Sequence, residues 1–161
     1  MSTPALPNLI IGAVEWVALP DLGIRRLRAR VDTGAKTSSL CTSDREIFTR
    51  DGEDWVRFTA HAGPSRRIRT FDCEARIIDR REVRSSSGEA EERLVVTTTL
   101  HLGWEKWMIE LTLADRLQMT HRMLLGRRAM LDRVLVNPSH TYLHGQPMNR
   151  IGGDDISMGM L

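Results

Sequence analysis

The chain is poor in cysteine, aromatic residues and lysine, and each shortage removes a class of explanation. Its two cysteines, Cys41 and Cys73, form no C-x-x-C pair, so neither a zinc ribbon nor a thioredoxin-type redox motif is present. Two thiols without a secretory context point to a reducing compartment, and the cytoplasm is the expected location. One Tyr and three Phe give little of the aromatic interleaving on which single-stranded nucleic acid stacks. The net charge of +2 is also too small to argue for a nucleic-acid partner. Long apolar runs are missing: the opening MSTPALPNLIIGAVEW has no basic leader and is interrupted at Gly12 and Glu15. Neither a signal peptide nor a membrane span is expected from it. There is no G-x-x-x-x-G-K-[ST] loop for nucleotide phosphates and no H-E-x-x-H for zinc. Among the five histidines only His140 and His144 are spaced for one helix face, and they flank Thr141 and Tyr142 beside the Asn137-Pro138 turn. No metal and no cofactor are therefore expected.

Lysine occurs only at Lys36 and Lys106, which leaves 21 arginines among the 23 basic residues. Arginine binds carboxylates and phosphates through a planar fork. The plain alternative is codon usage in a GC-rich genome.

What is present describes a globular domain. The 161 residues, 41% hydrophobic and 27% charged, suffice for one core without disulfides. Turn signals are frequent and the apolar runs between them short, which favours strands over helices. Leu27, Ala29 and Val31 alternate with Arg28 and Arg30; Val56, Phe58 and Ala60 alternate with Arg57 and Thr59. Trp107, Ile109, Leu111 and Leu113 form the clearest period-two run. A polar tip at Ser85–Glu89 separates two arms that carry Arg81, Arg84 and Arg93, and reads as a hairpin. Arg127–Asp132 is expected as a short helix, Ala114–Thr120 as a turn or one helical turn, and Val134–Val136 and Thr141–Leu143 as late strands. No repeat or linker divides the chain. Residues 1–144 form the expected domain, and 145–161 a tail expected to be mobile unless a partner orders it.

Chemistry concentrates at Asp32. The segment Ala29-Arg30-Val31-Asp32-Thr33-Gly34-Ala35 brings a carboxylate to the end of an alternating strand. Gly34 allows a tight turn and close backbone approach. Thr33 can hydrogen-bond across to an equivalent loop. An Asp-Thr-Gly by itself is equally an ordinary turn. A second element adds weight: Met123-Leu124-Leu125-Gly126-Arg127 is an apolar strand ending in Gly just before the short helix.

Together the two motifs resemble the retropepsins, which carry hydrophobic-Asp-Thr-Gly-Ala early and hydrophobic-hydrophobic-Gly-Arg late. A fuller resemblance, carried by GAVEWVALPDLG, ARVDTGAKTSSL, TLHLGWEKWMIELTLADR, MLLGRRAML and VNPSHTYL, is to a bacterial family labelled "ATP-dependent zinc protease", whose members are often associated with ATP-grasp glutamate ligases. The resemblance implies a mainly β, closed or nearly closed acid-protease barrel with a short C-terminal helix. It implies Asp32, Thr33 and Gly34 as the catalytic loop, and Leu124, Leu125, Gly126 and Arg127 as the strand that supports it. One Asp-Thr-Gly per chain implies a homodimer in which two Asp32 carboxylates meet. The expected substrate is a peptide or protein, acidic or glutamylated tails being the candidate. Ala35 and the arginines Arg81, Arg84 and Arg93 of a flap would meet it. Viral retropepsins place an acid after Asp-Thr-Gly-Ala to pair with the late Arg; here Lys36 stands there, so the dimer anchor must differ. Two other readings compete: a non-catalytic barrel binding acidic peptides or RNA, and a zinc metallopeptidase as the label says.

Overall fold

The computed structural model describes residues 9–84, 88–115 and 121–145. Ten strands, β1 Leu9–Ile11, β2 Val14–Leu19, β3 Ile24–Asp32, β4 Ser38–Arg50, β5 Glu53–Ala62, β6 Arg69–Arg84, β7 Ala90–Leu102, β8 Glu105–Ala114, β9 Met123–Gly126 and β10 Val134–Val136, are joined by one short helix, α1 Arg127–Met130, and two 3-10 turns. The protein is mainly β, as the alternating runs imply. Leu27 and Ala29 of β3, Val56, Phe58 and Ala60 of β5, and Trp107, Ile109, Leu111 and Leu113 of β8 all lie in the core. No helix among the described residues is long and apolar enough to cross a membrane.

Eight strands form one sheet in the order β2-β3-β9-β4-β5-β6-β7-β8. β8 also pairs in parallel with β4, Leu111 opposite Ser38, so β4 to β8 close into a ring. A single pairing of Ala18 with His101 joins β2 to β7 and closes a second circuit through β3 and β9. Closure removes unpaired edges from the inner strands. It also buries Thr112 on the face of β8 opposite the apolar run, because that stretch lies between Val95 of β7 and Ser39 of β4.

Outside the ring, β1 and β10 pair in parallel, Leu9 opposite Val134. The expected strand at Thr141–Leu143 is a turn instead. A side chain, not a ladder, holds it: the fully buried Glu15 carboxylate accepts the amides of Gly12 (2.7 Å), Leu143 (3.1 Å) and His144 (3.4 Å). The expected short helix is present but ends at Met130, and Asp132 beyond it has φ 58°. β8 runs through Ala114; residues 116–120 and 146–161, which include most of the expected turn and tail, lie outside the described residues.

Candidate active site

Asp32 is the last residue of β3 and half-buried, while Thr33 and Gly34 are exposed. Its Oδ1 accepts the Gly34 amide at 2.9 Å, and its carbonyl accepts the Ala35 amide at 3.2 Å. A Cβ at Gly34 would stand 3.2 Å from Oδ1, so the glycine leaves the carboxylate room. Among the described residues Asp32 enters no ion pair.

The support comes from β9. It pairs in parallel with β3, Val31 opposite Leu125 and Asp32 opposite Gly126, and antiparallel with β4, Ser39 opposite Leu124. It is therefore threaded between the two strands that the Asp-Thr-Gly turn connects. Gly126 donates its amide to Ser38 Oγ at 3.0 Å. A helix begins with amides that have no partner inside it; here the Arg127 and Arg128 amides donate to the carbonyls of Ala35 (2.8 Å) and Lys36 (3.1 Å). Arg127 Nη1 donates to the Thr33 carbonyl at 3.0 Å. With no acid at position 36, this arginine is tied to the backbone of the loop in its own chain. Four bonds thus hold the turn that carries the carboxylate, the kind of immobilisation a catalytic group needs.

The structure brings Asp32, Thr33, Gly34, Ala35, Leu124, Leu125, Gly126 and Arg127 into one cluster. Of the arginines expected to meet substrate, Arg81 donates to Glu110 (3.0 Å) and Asp79 (2.8 Å) of its own chain. Glu110 also lies 3.8 Å from Arg128, so the base of the hairpin is linked to α1. Arg93 is largely buried, with Glu91 at 3.9 Å. Arg84 ends β6 opposite Ala90; its side chain, and residues 85–87 of the hairpin tip, lie outside the described residues.

Other arginines were not singled out from the sequence. Arg26, Arg28 and Arg30 share the face of β3 that carries Asp32, opposite buried Leu27 and Ala29. Arg26 and Arg28 open onto a cavity of about 760 Å³, also lined by Arg66, Arg67, Arg69 and His121. Burial, reinforced by the positive charges of Arg28 and Arg30, pushes His121 below its ordinary value. The signal was the common parity of positions 26, 28, 30 and 32; what it lacked was the fold that brings residues 66–69 alongside. Among the described residues no three His, Cys, Asp or Glu side chains converge as a metal would require.

A nearly closed β ring, an Asp-Thr-Gly turn and an apolar-Gly strand threaded beside it define a retropepsin-like protein. Comparison with known proteins agrees: residues 10–147 match the family described as RimB-like, "Retropepsin-like aspartic endopeptidase RimB", and the chain belongs to that family. It is 46% identical over 139 residues to a Shewanella halifaxensis protein and 47% identical over 130 residues to one from Desulfotalea psychrophila, each named "Probable alpha-L-glutamate ligase". The matches cover 86% and 81% of this chain but 30% and 28% of those proteins, so the chain spans less than a third of their length. The solved structure of Lpg0085 from Legionella pneumophila, a protein of unknown function, superposes with a TM-score of 0.69 at 28% identity, covering 85% of this chain and 98% of that one.

Proposed function

We propose that this protein is an aspartic endopeptidase active as a homodimer, with one Asp32 from each copy forming the catalytic pair. The observation that carries this reading is the clamped turn: a half-buried carboxylate fixed by Gly34 and β9, beside exposed Thr33 and Gly34 where a second copy can approach. Two carboxylates brought close cannot both ionise, so they share one proton. The ionised one removes a proton from water, whose oxygen attacks the peptide carbonyl carbon. The protonated one gives its proton to the carbonyl oxygen. Collapse of the tetrahedral intermediate breaks the C–N bond, and the amine leaves with the proton first taken from water. Twofold symmetry supplies both carboxylates from one motif.

Acidic, glutamate-rich tails are the proposed substrate. Segments like this chain occur within longer proteins named for glutamate ligation, and the arginine-lined cavity lies on the strand that ends in Asp32.

Asp32→Asn tests the mechanism. Asn is nearly isosteric, so the fold should persist and cleavage of an acidic peptide should vanish. Wild-type chains and chains carrying Asp32→Asn, mixed in equal amounts, dissociated and reassociated, should show about a quarter of the activity of the same total amount of wild-type protein, the share of all-wild-type dimers. Cleavage by the variant at the wild-type rate would reject the mechanism; about half the activity in the mixture would reject the shared site.

A further inference from the structure

Two groups of arginines contrast among the described residues. On β4, β5 and β6, Arg50 and Arg57 pair with Glu74, Arg76 with Glu53 and Arg80 with Asp54, at 2.9 to 3.3 Å. Four arginines around the cavity at β3 differ from these. Six arginines line it, Arg26, Arg28, Arg66, Arg67, Arg69 and Arg122, and no aspartate or glutamate is among its described lining residues. Among the described residues Arg28, Arg66, Arg67 and Arg69 enter no ion pair, and neither does the exposed Arg30 next along β3. Like charges gathered in a concave site whose described lining holds no carboxylate repel one another and focus a positive potential, which an anion relieves.

The lining says which anion fits. Leu27, Ala62, Pro64 and Ile68 supply apolar wall between the guanidinium groups, suited to the aliphatic stems of glutamate side chains. The single Trp, Tyr or Phe ring of the described lining, Trp16, is stacked on Tyr142 with centroids 5.8 Å apart. Arg26 and Arg28 lie over the same ring system at 5.3 and 5.8 Å. Among the described lining residues no Trp, Tyr or Phe face is left open for bases to stack on, the platform that single-stranded nucleic acid favours. Spacing favours a peptide as well. Residues two apart on a strand repeat at about 6.5–7 Å, so Arg28 and Arg30 match alternate side chains of an extended peptide. Arg28 lies four residues, about 13 Å along β3, from Asp32.

We propose that this cavity is the specificity site for an acidic peptide segment, binding consecutive carboxylates through Arg28, Arg67 and Arg69 several residues away from the bond held at Asp32. The proposal deepens the peptidase reading and, for its link to cleavage, rests on it; binding itself can be measured without catalysis.

The experiment measures affinity of fluorescein-labelled hexaglutamate, hexaglutamine and hexauridylate for the full chain carrying Asp32→Asn. Hexaglutamate should bind at least about tenfold tighter than hexaglutamine, and its affinity should fall as salt rises. Arg67→Glu/Arg69→Glu, both at exposed positions, should weaken hexaglutamate about tenfold or more and leave hexaglutamine unchanged. Arg28→Ala, tested separately with its melting temperature, should do the same. Equal binding of hexaglutamate and hexaglutamine, or undiminished hexaglutamate binding by both variants, would overturn the proposal. Tighter binding of hexauridylate than of hexaglutamate would also overturn it and make the site one for nucleic acid. None of these results depends on cleavage, so failure of the binding site and failure of the Asp32 mechanism are read separately.

Discussion

Gly126 sits directly opposite Asp32 in the parallel pairing of β9 with β3, and a Cβ there would stand 2.4 Å from the carbonyl carbon of Thr37. The obstacle is backbone, so it cannot swing aside as a side chain would. The same glycine donates to Ser38 Oγ, and the two residues after it hold the carbonyls of Ala35 and Lys36. The glycine is therefore a close-approach residue that lets the supporting strand touch the turn that carries Asp32.

Replacing Gly126 by Ala should force β9 away from residues 37–38. The expected cost is about 2–3 kcal/mol, the range for overpacking a tight site, measured by urea denaturation. Peptide cleavage should fall further than stability does under conditions where the variant is fully folded, because the turn loses its clamp. Wild-type stability and activity in the Gly126→Ala protein would show that the contact is dispensable.

Glu15 is a charged side chain with no exposure, and it holds three backbone amides from two distant segments. Glu15→Ala removes the acceptor shared by the three amides and leaves that of buried Gly12 without a partner. Roughly 2–3 kcal/mol should be lost, since the Gly12 amide keeps its desolvation cost without a bond while those at exposed Leu143 and half-buried His144 can turn to water. Glu15→Gln retains oxygen acceptor capacity and should lose less. Chemical denaturation of both variants checks the order; an Ala variant as stable as the Gln variant would mean the latch contributes little.

Stability should fall at both ends of the pH range, for opposite reasons. Burial pushes the Cys73 thiol from 9.0 up to about 11. The unfolded chain thus deprotonates first, and stability present below pH 9 should decline by roughly 3 kcal/mol as pH rises to 11, at about 1.4 kcal/mol per unit. His101 and His121 shift the other way: burial, with Lys106 beside the first and Arg28 and Arg30 beside the second, lowers both. Their contribution is present above the ordinary histidine value and is lost as pH falls through the lowered ones. Denaturation midpoints from pH 4 to 11 for wild type and Cys73→Ala are the measurement. An alkaline slope unchanged by the substitution would assign it to another group.

Local sequence determined the strands and the paired motifs. Period-two alternation at Leu27–Val31, Val56–Ala60 and Trp107–Leu113 dictates strands because only that spacing puts the apolar set on one side. Asp32-Thr33-Gly34 and Leu124-Leu125-Gly126 are legible as a pair through their resemblance to the retropepsin motifs, and the pairing of Asp32 with Gly126 shows the one tight packing arrangement that both segments serve. Thr141–Leu143 misled: β-branched and aromatic residues read as strand, but the buried Glu15 carboxylate claims the amides of the turn, a contact across 128 residues that local propensity does not register. Nearness to a polar tip singles out the three arginines on the hairpin arms, whereas ion pairing is decided by the neighbouring strand. Glu110 of β8 reaches Arg81, while Arg28, Arg67 and Arg69 gather where no described carboxylate lines the cavity. Which arginine is paired within the protein and which faces a cavity without a described carboxylate is thus a property of strand pairing. Charges interact over a few ångströms of space, and only the closed ring of strands sets those distances.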